Sequence, residues 1–184
     1  TVNIRPTVQM LIVDASGDVI INPGTTYSFP LNMGETFSAF PYGVGENMYY
    51  NISRSNRLAG TRVWSGDSCL AVQTKDDLVW DSHAVCSGCA GDIDYVADQL
   101  VPTDLLGRTH VVMTGQITTV PEFAYVLATQ NGTTITLNGV AEGPVLAAGN
   151  QHAIRLDNLA DNFNLVETNN PVVVYHVSGF AGQM

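Results

Sequence analysis

The sequence predicts an all-β protein made of two related antiparallel, sandwich-like units, and three features carry that expectation. Short runs of β-branched and aromatic residues recur along the chain, each closed by Gly, Asn, Asp or Pro. Apolar residues at helical spacing are almost absent. The two ends of the chain also repeat one pattern of strands and glycine turns, the signature of a duplicated unit.

The elements follow in order. Thr7–Val13 (TVQMLIV), Asp18–Ile21 (DVII) and Thr25–Phe29 (TTYSF) read as strands, with SGD and NPG as the turns between them. Asn47–Ile52 and Gly60–Trp64 come next. Tyr95–Leu100 (YVADQL) has the spacing of a short helix, which Pro102 would end because it lacks an N–H and clashes with the preceding turn. Six more strands are expected at Thr109–Met113, Phe123–Ala128, Thr133–Leu137, Gln151–Leu156, Asn162–Val166 and Pro171–Val177. The Asn-Gly of TQNG, between the second and third of these, reads as a hairpin turn.

Laying the stretch from Met10 over the stretch from Tyr125 puts Gly17 on Gly132 and Gly34 on Gly149. Further on, RVWSG (Arg62–Gly66) falls on YHVSG (Tyr175–Gly179). The glycines are expected at equivalent turns, in left-handed backbone geometry that only Gly adopts freely. The implied organisation is a first β unit at 1–66, a connector at 67–121 that carries every Cys, and a second β unit at 122–184. Packing of all three into one compact domain is the alternative arrangement.

Composition narrows the function. The chain has 184 residues, a formal charge of −10 and a single Lys, Lys75. Without a basic stripe it cannot displace counterions from phosphates, which excludes nucleic acid, and it is unsuited to an anionic membrane surface. No apolar run approaches the ~18–20 residues of a membrane helix. The start at TVNIRP is that expected of a mature secreted chain or of a fragment. Two glycosylation-type triplets, Asn51-Ile52-Ser53 and Asn131-Gly132-Thr133, suit an extracellular setting.

VWSGDSC (Val63–Cys69), DYVADQLVPTDLLGRTHVV (Asp94–Val112) and the later pieces NGTTITLNG, LAAGNQHAI and NNPVVVYHVSG follow one another in a familiar succession. Over nearly its whole length the chain resembles the amino-terminal domain of IgG-Fc-binding proteins. That resemblance implies a module of secreted mucin-like or surface proteins, with no catalytic activity attached to its motifs. Two positions depart from the family pattern: Ile93 stands where the family has a Cys before its Asp-His pair, and Leu106 replaces a Trp before Gly.

The segment SHAVCSGCAGD (Ser82–Asp92) holds the densest chemistry. As a zinc site it would use His83, Cys86, Cys89 and Asp92, or Cys69 or His110 as the fourth ligand of a tetrahedron. A structural zinc knuckle usually has a second Cys or His pair, and this chain has none. A redox Cys-x-x-Cys needs a helix N-terminus in a βαβ setting, also missing. The favoured reading is a disulfide joining Cys69 to Cys86 or Cys89, closing a loop of about 18–21 residues and contributing on the order of 3 kcal/mol. The family resemblance points the same way, and one thiol is left over.

Other groupings are weaker. Asp76, Asp77, Asp92, Asp94 and Asp98, or the segment Asp157–Asn164, offer oxygens to calcium without EF-hand spacing. Tyr42, Tyr49 and Tyr50 could stack on a sugar, but a half-buried strand accounts for them as well. His176 in VVVYHVSG reads as a core-strand histidine satisfied by one hydrogen bond. Folding could gather His83, His110 and Asp94 where the connector doubles back, but no residue is assigned a catalytic role and no cofactor is expected beyond zinc or calcium at these sites. The sequence thus points to a secreted or cell-surface module for adhesion, binding or assembly, with a surface protein, a glycan or copies of itself as partner. The alternatives are a metal-dependent hydrolase, a calcium- or sugar-binding lectin-like domain centred on the connector, and a filament subunit completed by strand exchange.

Overall fold

Alternation of buried and exposed residues along short strands sets the architecture seen in the computed structural model, which describes residues 1–13, 17–42, 58–66, 69–76, 96–115, 122–156 and 159–177. The chain divides into two units, Thr1–Val72 and Gln73–Met184. The first contains β1 (Val2–Arg5), β2 (Met10–Ile12), β3 (Val19–Ile21), β4 (Tyr27–Phe29), β5 (Ala39–Pro41) and β6 (Arg62–Ser65). In the second lie β7 (Gln73–Asp76), β8 (Val96–Gln99), β9 (Thr109–Met113), β10 (Phe123–Ala128) and β11 (Thr133–Leu137). They are followed by β12 (Val140–Leu146), β13 (Gln151–Arg155), β14 (Phe163–Thr168) and β15 (Val172–Val177). The fold is all-β, and every strand pair is antiparallel.

Each unit is a sandwich around its own core. In the first, sheets β4-β1-β6 and β3-β2-β5 share Val2, Ile4, Met10, Ile12, Ile21 and Phe29. Sheets β13-β10-β15 and β12-β11-β14-β9 of the second face each other across Val126, Ile135, Leu146, Ile154, Leu156 and Val166, among others. The stretch Tyr95–Leu100, expected to be a helical turn, is instead strand β8 from Val96, laid along β7. One turn of helical spacing is too short to nucleate a helix in water, whereas a partner strand satisfies the backbone at once. Helical structure among the described residues is a 3-10 turn, Thr103–Leu105, entered through Pro102. The expected strand Asn47–Ile52 lies outside the described residues.

The duplication is visible in the strand pairings, one strand out of step with the sequence alignment. Setting β1 on β10, β2 on β11, and so on to β6 on β15, turns β4-β1-β6 into β13-β10-β15 and β3-β2-β5 into β12-β11-β14. The second unit adds β9, from the stretch read as connector, beside β14. Gly17 and Gly132 are therefore not equivalent, since Gly17 lies between β2 and β3 and Gly132 between β10 and β11. Gly34 and Gly149 also part, the first following β4 and the second preceding β13. The match to Gly149 is Gly24: its N–H donates to the Pro6 carbonyl at 2.8 Å, as that of Gly149 does to Ala128 at 2.8 Å. All four glycines of the sequence alignment do have positive φ, so their conformation was foreseen although their pairing was not.

The Asn-Gly turns also change places. Asn131-Gly132 carries the chain from one sheet to the other, so β10 and β11 do not pair. The hairpin turn is Asn138-Gly139, with φ of 51° and 79° between the paired residues Leu137 and Val140. Two successive positive φ values suit the right-handed twist of the flanking strands, and Asn and Gly tolerate them best.

In the first unit, the turn after β4 is closed by Glu35, whose carboxylate accepts from the Asn32 backbone N–H at 2.7 Å and the Asn32 side-chain amide at 3.2 Å. These bonds, the backbone one foremost, hold Glu35 below its ordinary value of 4.5. With the folded value depressed, the stabilisation is present above the unfolded value and is lost as pH falls through the folded one. A pH titration followed by NMR should place the Glu35 midpoint below 4.5, and Asn32→Ala should raise it. A midpoint unmoved by that substitution would contradict the side-chain bond, since the alanine variant keeps the backbone donor.

Candidate functional site

Of the residues singled out in the connector, His83, Cys86, Cys89, Asp92, Asp94 and Asp77 lie outside the described residues, as do Tyr49 and Tyr50. Cys69 is exposed and has no disulfide partner among the described residues. Asp76 and Asp98 sit on the paired strands β7 and β8, where Asp76 faces Val96 and Asp98 faces Thr74. His110 on β9 places its Nε2 3.3 Å from the Gly107 carbonyl. No three His, Cys, Asp or Glu side chains converge into a metal-binding group among the described residues.

Polar side chains do converge at the two edges of the second sandwich, where one sheet meets the other. At one edge the Glu122 carboxylate, on the residue before β10, is almost fully buried. It accepts from the Gly115 N–H at 2.8 and 3.0 Å, and His176 Nε2 on β15 lies 2.6 Å from its Oε1. An ionised carboxylate only accepts, so His176 donates through Nε2. Gly115 follows β9 in the four-stranded sheet, whereas Glu122 and His176 belong to the three-stranded one. The cluster is therefore a polar tie between sheets. His176 retains 31% side-chain exposure, against 2% for Glu122.

At the opposite edge, His152 on β13 lies 2.9 Å from Glu142 Oε1 on β12, again linking the two sheets. Its ring rests on the backbone of Gly143, which has φ of +66°, and a Cβ added there would lie 2.6 Å from Nε2. Gly143 is thus required twice, by conformation and by space.

A histidine oriented by a carboxylate is two-thirds of a nucleophilic triad, and the third member is what matters chemically. Neither His152 nor His176 is hydrogen-bonded to a Ser, Thr or Cys side chain among the described residues. The arrangement ties the two sheets together, and among the described residues neither of these two imidazoles is poised on a nucleophile. His176 is on a strand with one hydrogen bond, as the sequence suggested, but it lies at the exposed sandwich edge and not in the core, and its partner was not foreseen. Glu122 was missed because a single acid after Pro121 carries no periodic signal; its burial depends on β15, more than fifty residues further on.

Gly143→Ala should destabilise the second unit by about 2 kcal/mol or more, combining left-handed strain with the contact to the His152 ring. Adding His152→Ala removes the contact but not the strain, so the double variant should lose less than the sum of the two singles. Denaturant unfolding of the four proteins measures this, and simple additivity would show that the ring and Gly143 do not meet.

A family model described as IgGFc binding protein matches residues 1–183. Neither a curated protein nor a solved structure matches the chain. The succession of glycine turns and strands that resembled this family in the sequence is thus matched from end to end, and the chain belongs to the IgGFc binding protein family.

Proposed function

We propose that this chain is a secreted or cell-surface module that works by binding or assembly and not by catalysis. The observation that carries the reading is the family match across residues 1–183, whose description names a binding protein. The fold supports it. Two rigid sandwiches expose strand faces and loops suited to holding a protein or glycan, and the described His–carboxylate pairs serve as ties between sheets. No described helix is long and apolar enough to cross a membrane. In this reading Cys69 forms the extracellular disulfide with Cys86 or Cys89, tethering the connector.

Two measurements on the purified chain test it. Intact mass without reductant should be two daltons below the reduced value, reflecting one disulfide among three Cys. Surface-plasmon binding to immunoglobulin Fc fragments and to arrayed mucin glycoproteins should show saturable binding to at least one of them. Three thiols alkylatable without reductant, together with stoichiometric zinc, would instead support a metal centre in the connector and overturn the reading.

A further inference from the structure

In the first unit, the outer face of sheet β4-β1-β6 is polar and basic in a chain that is acidic as a whole. On β1, Val2 and Ile4 point into the core, so Asn3 and Arg5 point out. Ser28 on β4 and Arg62 and Trp64 on β6 share that outer face, because Asn3 faces both Ser28 and Trp64 in the register and Arg5 faces Arg62. Ser28 Oγ donates to Asn3 Oδ1 at 2.7 Å, and Asn3 Nδ2 donates to the Trp64 carbonyl at 3.5 Å. The amide therefore spans three strands and keeps one N–H for another acceptor. Trp64 is 39% exposed, and the Arg62 guanidinium lies 5.9 Å from its ring centroid, at the outer limit of a cation–π contact. Two observations mark this face as more than solvated surface. Like charges directly opposite on neighbouring strands are destabilising, yet Arg5 lies opposite Arg62 and neither meets a carboxylate among the described residues. The duplicated unit shows, in addition, that the fold does not require them. With Gly24 matched to Gly149, so that Pro6 falls on Ala128, Arg5 corresponds to Leu127, Arg62 to Val173, Asn3 to Tyr125 and Trp64 to Tyr175. Of the four positions, only that of Trp64 keeps its character in the second unit.

Resting on the binding role set out above, we propose that this face takes a glycan by a terminal sugar that carries a carboxylate. Charge complementarity selects that ligand. Directly opposite residues on paired strands have Cβ atoms about 5 Å apart, so the two guanidiniums can share the two oxygens of one carboxylate and relieve their mutual repulsion. Beside them the Trp64 indole offers an apolar surface to the C–H face of a sugar ring. The spare Asn3 N–H donates to a sugar hydroxyl, and Ser28 Oγ, its own hydrogen spent on Asn3, accepts from one. The patch covers two rows of the sheet, about 7 Å along the strands, which suits one or two sugar rings. A long sulfated or uronate polymer needs a basic stripe, and a chain with seven Lys and Arg against seventeen Asp and Glu repels it beyond the patch. An acidic peptide would satisfy the arginines but leave the exposed indole without a role.

Titration of the full chain with sialyllactose, followed by amide and indole NMR, tests it, with lactose as the control that lacks the carboxylated sugar. Saturable shifts are expected at Asn3, Ser28 and the Trp64 indole, with a dissociation constant on the order of 1 mM and lactose at least about tenfold weaker. Arg5→Gln combined with Arg62→Gln should weaken binding at least about tenfold, and Trp64→Ala by a similar factor. The circular dichroism spectrum should stay unchanged in both variants, because all three side chains point outward. Absence of saturable shifts up to about 10 mM sialyllactose would overturn the inference. So would lactose binding as tightly, binding that survives the double arginine substitution, or an Asp-rich peptide or heparin-derived oligosaccharide that binds as tightly as sialyllactose. Disulfide mass and zinc content, which decide the wider binding role, do not depend on this face, so the two fail separately.

Discussion

Everything else in the second unit depends on closing two antiparallel sheets over a strip of small and branched side chains. Strand β10 lies at the centre of its sheet and turns Ala124, Val126 and Ala128 inward, none more than 1% exposed. Two alanines on a central strand let the facing sheet approach closely, and the larger Ile154, Leu156, Leu146 and Ile135 fill the space around them. Because that strip is continuous, the chain must pass repeatedly from one sheet to the other. Two of the turns that make those passages, at Gly132 and Gly149, each use a left-handed glycine.

Sandwich edges are the weak points of such an arrangement, since water reaches the core between sheets that no backbone ladder joins. Here each edge is bridged by a histidine and a glutamate, His152 with Glu142 at one and His176 with Glu122 at the other. Glu122 stands immediately before β10, its carbonyl accepting from the Leu156 N–H as the sheet starts. Burial of the carboxylate is sustainable because Gly115 and His176 supply donors that replace the water it loses.

Much of the strand layout was legible. The boundaries of β9, β10 and β11 coincide with those read from periodicity, and β13 and β15 differ by one residue at an end. Strands β1, β5, β7, β8 and β12 were not foreseen, and two of them show why. VNIR of β1 is short, with Asn and Arg breaking its apolar run, and β12 contains Gly143-Pro144, which reads as a loop. Pro144 is tolerated because β12 is an edge strand, a fact of sheet order that local sequence does not contain. Leaving out β1 displaced the repeat by one strand, which set Gly17 against Gly132 when the strand order makes Gly24 the counterpart of Gly149.

By itself the sequence determined the all-β class, with two related antiparallel units, and the family. The fold class depends on period-two alternation, a property of short windows, and the family on a succession of motifs along nearly the whole chain. Tertiary structure alone decided which strands became neighbours, that Glu122 would meet His176, that Gly143 would lie beneath His152, and which apolar stripe would be covered. Alternation reveals that a strand has two faces, but on β9 and β14 the face that ends up outside is no less apolar than the one that ends up inside. Only the arrival of the second sheet selected Val112 and Val166 for the core and left Val111, Met113, Phe163 and Leu165 outside it.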